Sequence, residues 1–236
     1  MVYLFAHRGG FDSGGPENTV EAFAHALSLG ASLESDVRLS VDGVPMLVHD
    51  PHITGAARLP RRVRRLTADR LERMGALTLH RLYRELGTDF QLSLDLKDRD
   101  AGPATIEVAR AAGAAQRLWL VHDSIPVLQR IRRAAPDVRL MHETRLHDLA
   151  RNTVLPDTHM DVLARWKVDA QNTHWSRWTP ALVGAAHRRG ILAFGSIAQE
   201  RDDMARALTK GLDGLYTDHV ARLVEVATDL GLEVTR

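Results

Sequence analysis

The feature that most constrains this chain is a regular alternation of short apolar runs with amphipathic helical patterns. Eight such strand–helix units follow one another, which predicts a parallel sheet, and eight units close naturally into a TIM (β/α)8 barrel. An open doubly wound sheet is the alternative. The predicted strands are Tyr3–Ala6, Leu33–Leu39, Gln91–Lys97, Leu118–His122, Val138–Glu143, Asp169–Asn172, Leu192–Ser196 and Gly214–Thr217.

The length also favours one barrel, since the chain has 236 residues and a TIM barrel typically needs about 250. No linker or low-complexity tract divides the chain, so we interpret residues 1–236 as a single domain. One small insertion after the second strand is irregular and rich in arginine, between His49 and Leu71. A solvated basic loop is the simplest interpretation, and an anion-attracting rim is the alternative. Its arginines are Arg58, Arg61, Arg62, Arg64 and Arg65.

Charged side chains collect at the C-terminal ends of the predicted strands, where barrels of this class form their active sites. Glu34 and Asp36 are two residues apart, so on a strand they project to the same face. Asp42-Gly43 then predicts a tight turn, after which an extended segment returns to His49. The other polar strand ends are His7-Arg8, Asp95-Leu96-Lys97, His122-Asp123, His142-Glu143 and Thr217-Asp218.

Inward-facing charges of this kind are costly unless they meet partners or a metal. Glu34, Asp36 and Asp95 offer carboxylate oxygens, which suit Mg²⁺, Ca²⁺ or Mn²⁺ better than Zn²⁺. Simpler interpretations exist for each residue. Arg8 can form a structural ion pair with Glu34 or Asp36, Asp95 and Lys97 can pair with neighbouring charges, and single histidines often only bond to backbone. The convergence of the set at strand ends is what indicates a site.

The motifs together resemble the glycerophosphodiester phosphodiesterase family. They are His7-Arg8-Gly9, Pro16-Glu17-Asn18-Thr19, Glu34-x-Asp36, Asp42-Gly43-x5-His49-Asp50, Asp95-Leu96-Lys97 and the final stretch Gly211 to Asp218. The N-terminal combination is highly specific, whereas residues from about Gly113 to Leu192 contribute little. The family has a TIM-barrel fold, which agrees with the strand count.

The resemblance implies a metal-dependent phosphodiesterase that hydrolyses glycerophosphodiesters to glycerol 3-phosphate and an alcohol. The cation would be Ca²⁺ or Mg²⁺, with Mn²⁺ possible. The implied roles are Glu34, Asp36 and Asp95 as metal ligands, His7 and His49 as the acid/base pair, and Arg8 and Lys97 as substrate-binding residues. We add His122 to the substrate-binding residues. From their positions alone, His122 and Glu143 are interpreted as residues that support the site or line its rim rather than as catalytic residues. Glu17 and Asn18 would shape the loop after the first strand.

Two positions depart from the family pattern. The third metal ligand is normally glutamate, and Asp95 is shorter by one methylene. The family also often carries Trp-Thr-Val on the seventh strand, where this chain has Leu192 to Ile197 and hence a different substrate-facing wall. Both departures bear on the preferred substrate more than on the reaction.

The net charge and the distribution of apolar residues limit the kinds of binding partner that we expect. The net charge of +1 gives no reason to expect nucleic acid or an anionic membrane. Met1–Ala6 is too short for a signal-peptide apolar region, and no apolar run approaches the roughly 20 residues of a membrane span. We therefore expect a cytoplasmic protein with a small, water-soluble phosphodiester substrate. A metal-dependent amide or ester hydrolase and a phosphate-binding barrel without turnover remain as alternatives, and the alcohol, the cation, the attacking oxygen and the oligomeric state stay open.

Overall fold

The computed structural model describes residues 1–54, 59–144 and 157–235, so Arg58 of the predicted insertion lies outside the described residues. The strands are β1 Val2–Ala6, β2 Ser32–Leu39, β3 Pro45–Leu47, β4 His52–Thr54, β5 Pro60–Arg62, β6 Leu77–Thr78, β7 Leu92–Leu96, β8 Leu118–His122, β9 Arg139–Glu143, β10 Ala170–His174, β11 Leu192–Ser196, β12 Gly214–Thr217 and β13 Val234–Thr235. The helices are α1 Val20–Ser28, α2 Ala68–Glu72, α3 Leu79–Leu86, α4 Gly102–Ala111, α5 Ile125–Ala134, α6 Asp157–Arg165, α7 Pro180–His187, α8 Arg201–Thr209 and α9 Val220–Asp229.

Eight of these strands close into a parallel barrel. Their order is β1-β12-β11-β10-β9-β8-β7-β2, and β2 pairs back onto β1 through Phe5 with Ser32 and Ala6 with Leu33. The predicted TIM barrel is therefore confirmed and the open sheet is excluded, because an open sheet would leave β1 and β2 unpaired. Each predicted strand matches an observed barrel strand, with ends shifted by at most two residues. Within the described ranges, no helix has the length and apolar character that a membrane crossing requires.

Helix ends follow the local sequence signals. Thr19 precedes α1 and its hydroxyl accepts a hydrogen bond from the backbone N–H of Ala22 at 3.2 Å, which satisfies one free donor of the first turn. Gly30 follows the same helix with φ of 87°, a conformation that glycine adopts without steric cost. The residues at its two ends therefore determine where α1 begins and where it ends.

An aromatic layer fills the inside of the barrel below the polar strand ends. Phe5, Trp119, Phe194 and Tyr216 form this buried cluster with three aliphatic neighbours. The rings of Phe5 and Tyr216 stack with centroids 4.9 Å apart. Because side chains alternate along each strand, the residues between them face the surrounding helices. The layer closes the barrel under the site.

The insertion after β2 contains short ordered elements. Asp42-Gly43 turns the chain, and β3 runs antiparallel to β2 with Leu47 opposite Val37. The predicted hairpin is confirmed. For the following stretch the sequence predicted a loop or a small cap, and it forms the small antiparallel pair β4–β5 and α2. Arg64 of this stretch bonds to Asp100 at 2.6 Å.

Gly214 lies in the barrel wall where there is no space for a Cβ atom. A Cβ atom there would lie 2.5 Å from Cε1 of Phe194 and 2.8 Å from the carbonyl oxygen of Tyr3. We expect Gly214→Ala to lower the free energy of unfolding by about 1–3 kcal/mol, the usual cost of overpacking. Denaturant unfolding measures this. Gly15→Ala is the control, since its Cβ would have only the Ser13 hydroxyl at 3.8 Å. Equal stability of the two variants would contradict the expected clash.

Candidate active site

A cavity of about 460 Å³ opens at the C-terminal ends of the barrel strands. Tyr216 and Val121 of the aromatic and aliphatic layer contribute to its lining, while the strand ends supply charged groups. Its charged lining residues are His7, Arg8, Glu34, Asp36, Asp95, Lys97, Glu143 and Asp218. The cavity therefore combines an apolar base with an unusual density of ionisable side chains.

Strand β2 places two carboxylates in the cavity by simple alternation. Glu34 and Asp36 are buried and face inward, while Leu33 and Val37 face the outer core. Ser35 also faces away from the cavity and donates to Oδ1 of Asn18 at 2.6 Å. This bond ties the loop after β1 to β2, which supports an architectural role for Asn18.

Two cationic side chains bind these carboxylates. Asp36 accepts from Nε of Arg8 at 3.1 Å on one oxygen and pairs with Nζ of Lys97 at 3.0 Å on the other. Lys97 also donates to Asp95 at 2.5 Å. Burial disfavours the charged lysine, but Asp95 and Asp36 outweigh it and raise the pKa of Lys97. The structural ion pair considered for Arg8 is therefore present.

Arg8 itself sits in a special backbone conformation. Its φ is 52°, in the left-handed region, and its backbone N–H donates to Oε2 of Glu34 at 3.0 Å. Its guanidinium also bonds to Glu17 at 3.2 Å, in the loop after β1. This turn presents both the backbone donor and the side chain of Arg8 to β2.

The cavity holds more negative than positive charge. Burial, with the charge of Asp36, raises the pKa of Glu34 to about 8. Burial, with the charge of Asp95, raises the pKa of Glu143 to about 7. These shifts reflect the cost of burying several carboxylates close together, and a divalent cation would relieve it. The donors are carboxylate oxygens, the type that a hard cation prefers. Among the described residues, no three acidic or histidine side chains are grouped so that they could hold a metal ion.

His7 is held by a carboxylate partner. Its Nδ1 lies 2.7 Å from Oδ1 of Asp218, and Gln199 donates to the other Asp218 oxygen at 2.7 Å. Burial opposes protonation of His7, but the bond to Asp218 and the charge of Glu34 outweigh it and raise the pKa of the imidazole. The arrangement fixes the ring at the cavity wall and favours the protonated imidazole, the form that a general acid needs.

The other two predicted histidines lie elsewhere. His49 follows β3, bonds to Asp50 at 2.8 Å and is not among the residues that line the cavity. His122 is buried, and its Nδ1 accepts from the backbone N–H of Ser124 at 2.8 Å. It lines a smaller adjoining cleft of about 280 Å³ that shares Asp95, Lys97 and Glu143 with the main cavity.

Several residues of the cavity had no role predicted from the sequence. Glu143, expected at the rim, lines it, and the amide nitrogen of Asn172 donates to this carboxylate at 3.1 Å. The amide oxygen of Asn172 is buried and has no hydrogen-bond partner within the described part of the chain. Gln199 gave no signal, whereas Asp218 was indicated as a polar strand end and was given no role.

Comparison with known proteins agrees with this geometry. The sequence profile of the glycerophosphoryl diester phosphodiesterase family matches residues 7–95. A glycerophosphodiester phosphodiesterase of Bacillus altitudinis is 25% identical over 98% of this chain and 100% of its own length. A second, from Caldanaerobacter subterraneus, is 23% identical over 94% of this chain and 96% of its own.

Solved structures share the fold. The glycerophosphodiester phosphodiesterase of Thermotoga maritima superposes with a TM-score of 0.81 at 20% identity, covering 96% of this chain and 98% of that one. A phosphodiesterase of Oleispira antarctica, solved with its product sn-glycerol-3-phosphate, gives a TM-score of 0.77 at 18% identity and covers 96% of both chains.

Fold and site first define a class, a TIM-barrel protein with a charged cavity at the carboxyl ends of its strands. The motifs, the profile match over residues 7–95 and the full-length relatives then indicate a family. The chain is similar to the glycerophosphodiester phosphodiesterases.

Proposed function

We propose that this protein is a divalent-cation-dependent phosphodiesterase that hydrolyses glycerophosphodiesters to glycerol 3-phosphate and an alcohol. The observation that carries the proposal is one cavity in which the His7–Asp218 pair faces buried carboxylates and the two cations Arg8 and Lys97. The names of the full-length relatives and the product bound to the Oleispira antarctica protein support it.

The carboxylates of Glu34, Asp36 and Asp95 would hold the cation, which we propose to be Ca²⁺ or Mg²⁺, with Mn²⁺ as a further candidate. When bound, such a cation polarises the phosphoryl oxygens and neutralises charge that develops on them. Arg8 and Lys97 contribute positive charge at the same place, so we assign them to the phosphate oxygens. Each already lies against Asp36 and is thus positioned before substrate enters.

We assign proton transfer to two histidines. With Asp218 accepting from Nδ1, His7 keeps Nε2 to exchange a proton with the reacting oxygen. We propose His49 as its partner, carried by the hairpin segment after β3 beyond the cavity lining. One group removes a proton from the attacking oxygen and the other protonates the departing alkoxide. The scheme serves attack by water and attack by a neighbouring hydroxyl of the glycerol alike.

The experiment that tests this function is hydrolysis of glycerophosphocholine and bis(p-nitrophenyl) phosphate with and without EDTA. Turnover that requires a divalent cation supports the proposal. Binding of glycerophosphate without turnover would favour the phosphate-binding barrel. Cleavage of ester or amide substrates without diester cleavage would favour the other hydrolase class.

The pair His7–Asp218 gives a pH-dependent prediction. Asp218 raises the pKa of His7, so Asp218→Asn should lower that pKa and move the His7-dependent limb of the rate profile to lower pH. The pH dependence of kcat/KM measures the shift. Asp161→Asn is the control, because Asp161 is exposed and pairs with Arg189 on the surface. An unmoved limb would show that Asp218 does not set the protonation of His7.

A further inference from the structure

Ile197, directly after β11, holds a backbone conformation that its side chain disfavours. Its φ is 65°. The left-handed region is uncommon for any residue with a Cβ, and a β-branched residue there is a clear outlier because its branched side chain crowds the backbone. Glycine or asparagine would adopt this turn at lower cost.

The turn at Ile197 is imposed by its neighbours on both sides. Before it, Ser196 pairs in register with His174 of β10. After it, Ala198 is fully buried in the core, and the side chain of Gln199 bonds to Thr217 at 2.9 Å and to the backbone of Asp218 at 3.0 Å. Strain persists where surrounding structure fixes it in this way. The fold thus requires the turn, but not an isoleucine in it.

The side chain gains little from the core that would explain its presence. Ile197 is 45% exposed and lines the cavity. Phe11 is a second exposed apolar residue on this side, at 58% exposure. Its backbone N–H donates to the carbonyl oxygen of Asp218 at 2.7 Å, so both segments are anchored to Asp218.

The two cations and the β2 carboxylates of the cavity lie in another sector. Arg8, Glu34, Asp36 and Lys97 follow or belong to β1, β2 and β7, whereas β11 is separated from β1 by β12 and from β7 by three strands. The charged lining residues nearer to Ile197, Glu143 and Asp218, are acidic. The phosphate end of a substrate therefore meets the two cations, and Ile197 meets a different part of the same molecule. A polyol such as glycerol presents hydroxyl groups, for which an aliphatic side chain offers no partner.

We propose that Ile197 is a specificity-determining residue that contacts an alkyl surface on the alcohol moiety of the diester. The substrate class is then a glycerophosphodiester whose alcohol carries exposed CH₂ or CH₃ groups. This inference rests on the proposed function and deepens it.

The test compares two substrates whose alcohols have similar size, glycerophosphobutanol and glycerophosphoglycerol, in wild type and variants. The measured quantity is the ratio of their kcat/KM values, in which intrinsic reactivity cancels between variants. We expect Ile197→Asn and Ile197→Gly to lower the butanol-to-glycerol ratio about tenfold, the effect of a lost methylene-sized contact. Ile197→Val, which keeps an aliphatic branch, should hold the ratio within about threefold.

Thermal unfolding distinguishes a role in substrate binding from a structural role. If Ile197 stabilised the fold, Ile197→Asn would lower Tm. Because asparagine tolerates this backbone, Ile197→Asn should leave Tm unchanged or raise it by roughly 2–4 °C. Leu230 is an exposed apolar residue directly after α9, so Leu230→Asn controls for the effect on Tm of placing a polar side chain at an exposed apolar position. An unchanged butanol-to-glycerol ratio in Ile197→Asn, or a clear fall in its Tm, would overturn the role of Ile197 and leave the proposed function intact. Failure of wild type to cleave either diester would overturn the proposed function and this inference with it.

Discussion

Replacing His7 with asparagine should lower kcat by about two to four orders of magnitude, the range for lost acid/base catalysis. Asparagine keeps a polar side chain that can still bond to Asp218, so the cavity wall should persist while proton transfer is lost. We expect a comparable loss for His49→Ala, since the proposed scheme needs one acid and one base. Steady-state hydrolysis of glycerophosphocholine measures both.

The control for these variants is His80→Asn, because His80 is exposed on α3 away from the cavity lining. Thermal unfolding of each variant separates lost chemistry from lost folding. Near wild-type turnover in His7→Asn would remove the acid/base assignment. Near wild-type turnover in His49→Ala alone would leave His7 in place and assign the second proton to another group.

Removing divalent cations should lower turnover by about three orders of magnitude, since charge stabilisation of several kcal/mol is lost and each 1.36 kcal/mol is tenfold in rate. Glu34→Gln should weaken cation binding, because an amide cannot become the anionic oxygen ligand that Glu34 provides once it loses its proton on cation binding. Calorimetric titration with Ca²⁺, Mg²⁺ and Mn²⁺ measures the binding, and activity after EDTA measures the dependence.

Cation binding to the native state should also raise Tm in proportion to the logarithm of its concentration. Glu85→Gln is the matched control, as Glu85 is a surface glutamate paired with Arg81 on α3. Full activity in EDTA, or equal cation affinity in Glu34→Gln and wild type, would contradict a site built on Glu34.

The fold was predictable because local patterns agree with it at every level. Strand–helix alternation predicted eight barrel strands, and Asp42-Gly43 predicted the hairpin that follows β2. The face shared by Glu34 and Asp36 follows from a period of two along a strand. These features depend on residues close in sequence, so they need no knowledge of tertiary contacts.

The parts that the sequence did not reveal depend on contacts between distant segments. His49 follows a short hairpin, and periodicity does not determine where a side chain beyond such an element points. Glu143 gains its place in the cavity from Asn172, 29 residues away, and Asp218 gains its role from His7 at the other end of the chain. The left-handed turn at Ile197 runs against the preference of its own residue type.

The two departures from the family pattern have different outcomes. Asp95 engages Lys97 directly, so the shorter carboxylate is occupied in this structure by a cationic side chain. The altered segment of the seventh barrel strand places Ser196 and Ile197 on the cavity lining, as the expected change in a substrate-facing wall implies. The cytoplasmic location stays a prediction.

We expect this cavity to cleave the phosphodiester bond to the alcohol and to leave phosphate on glycerol. Phosphorus NMR of glycerophosphocholine incubated with the protein and Ca²⁺, Mg²⁺ or Mn²⁺ tests it most directly, because it distinguishes the two possible phosphomonoesters. We predict glycerol 3-phosphate as the phosphorus product, formed with at least one of these cations and lost with EDTA. Unchanged substrate with all three cations, or phosphocholine as the product, would contradict the account.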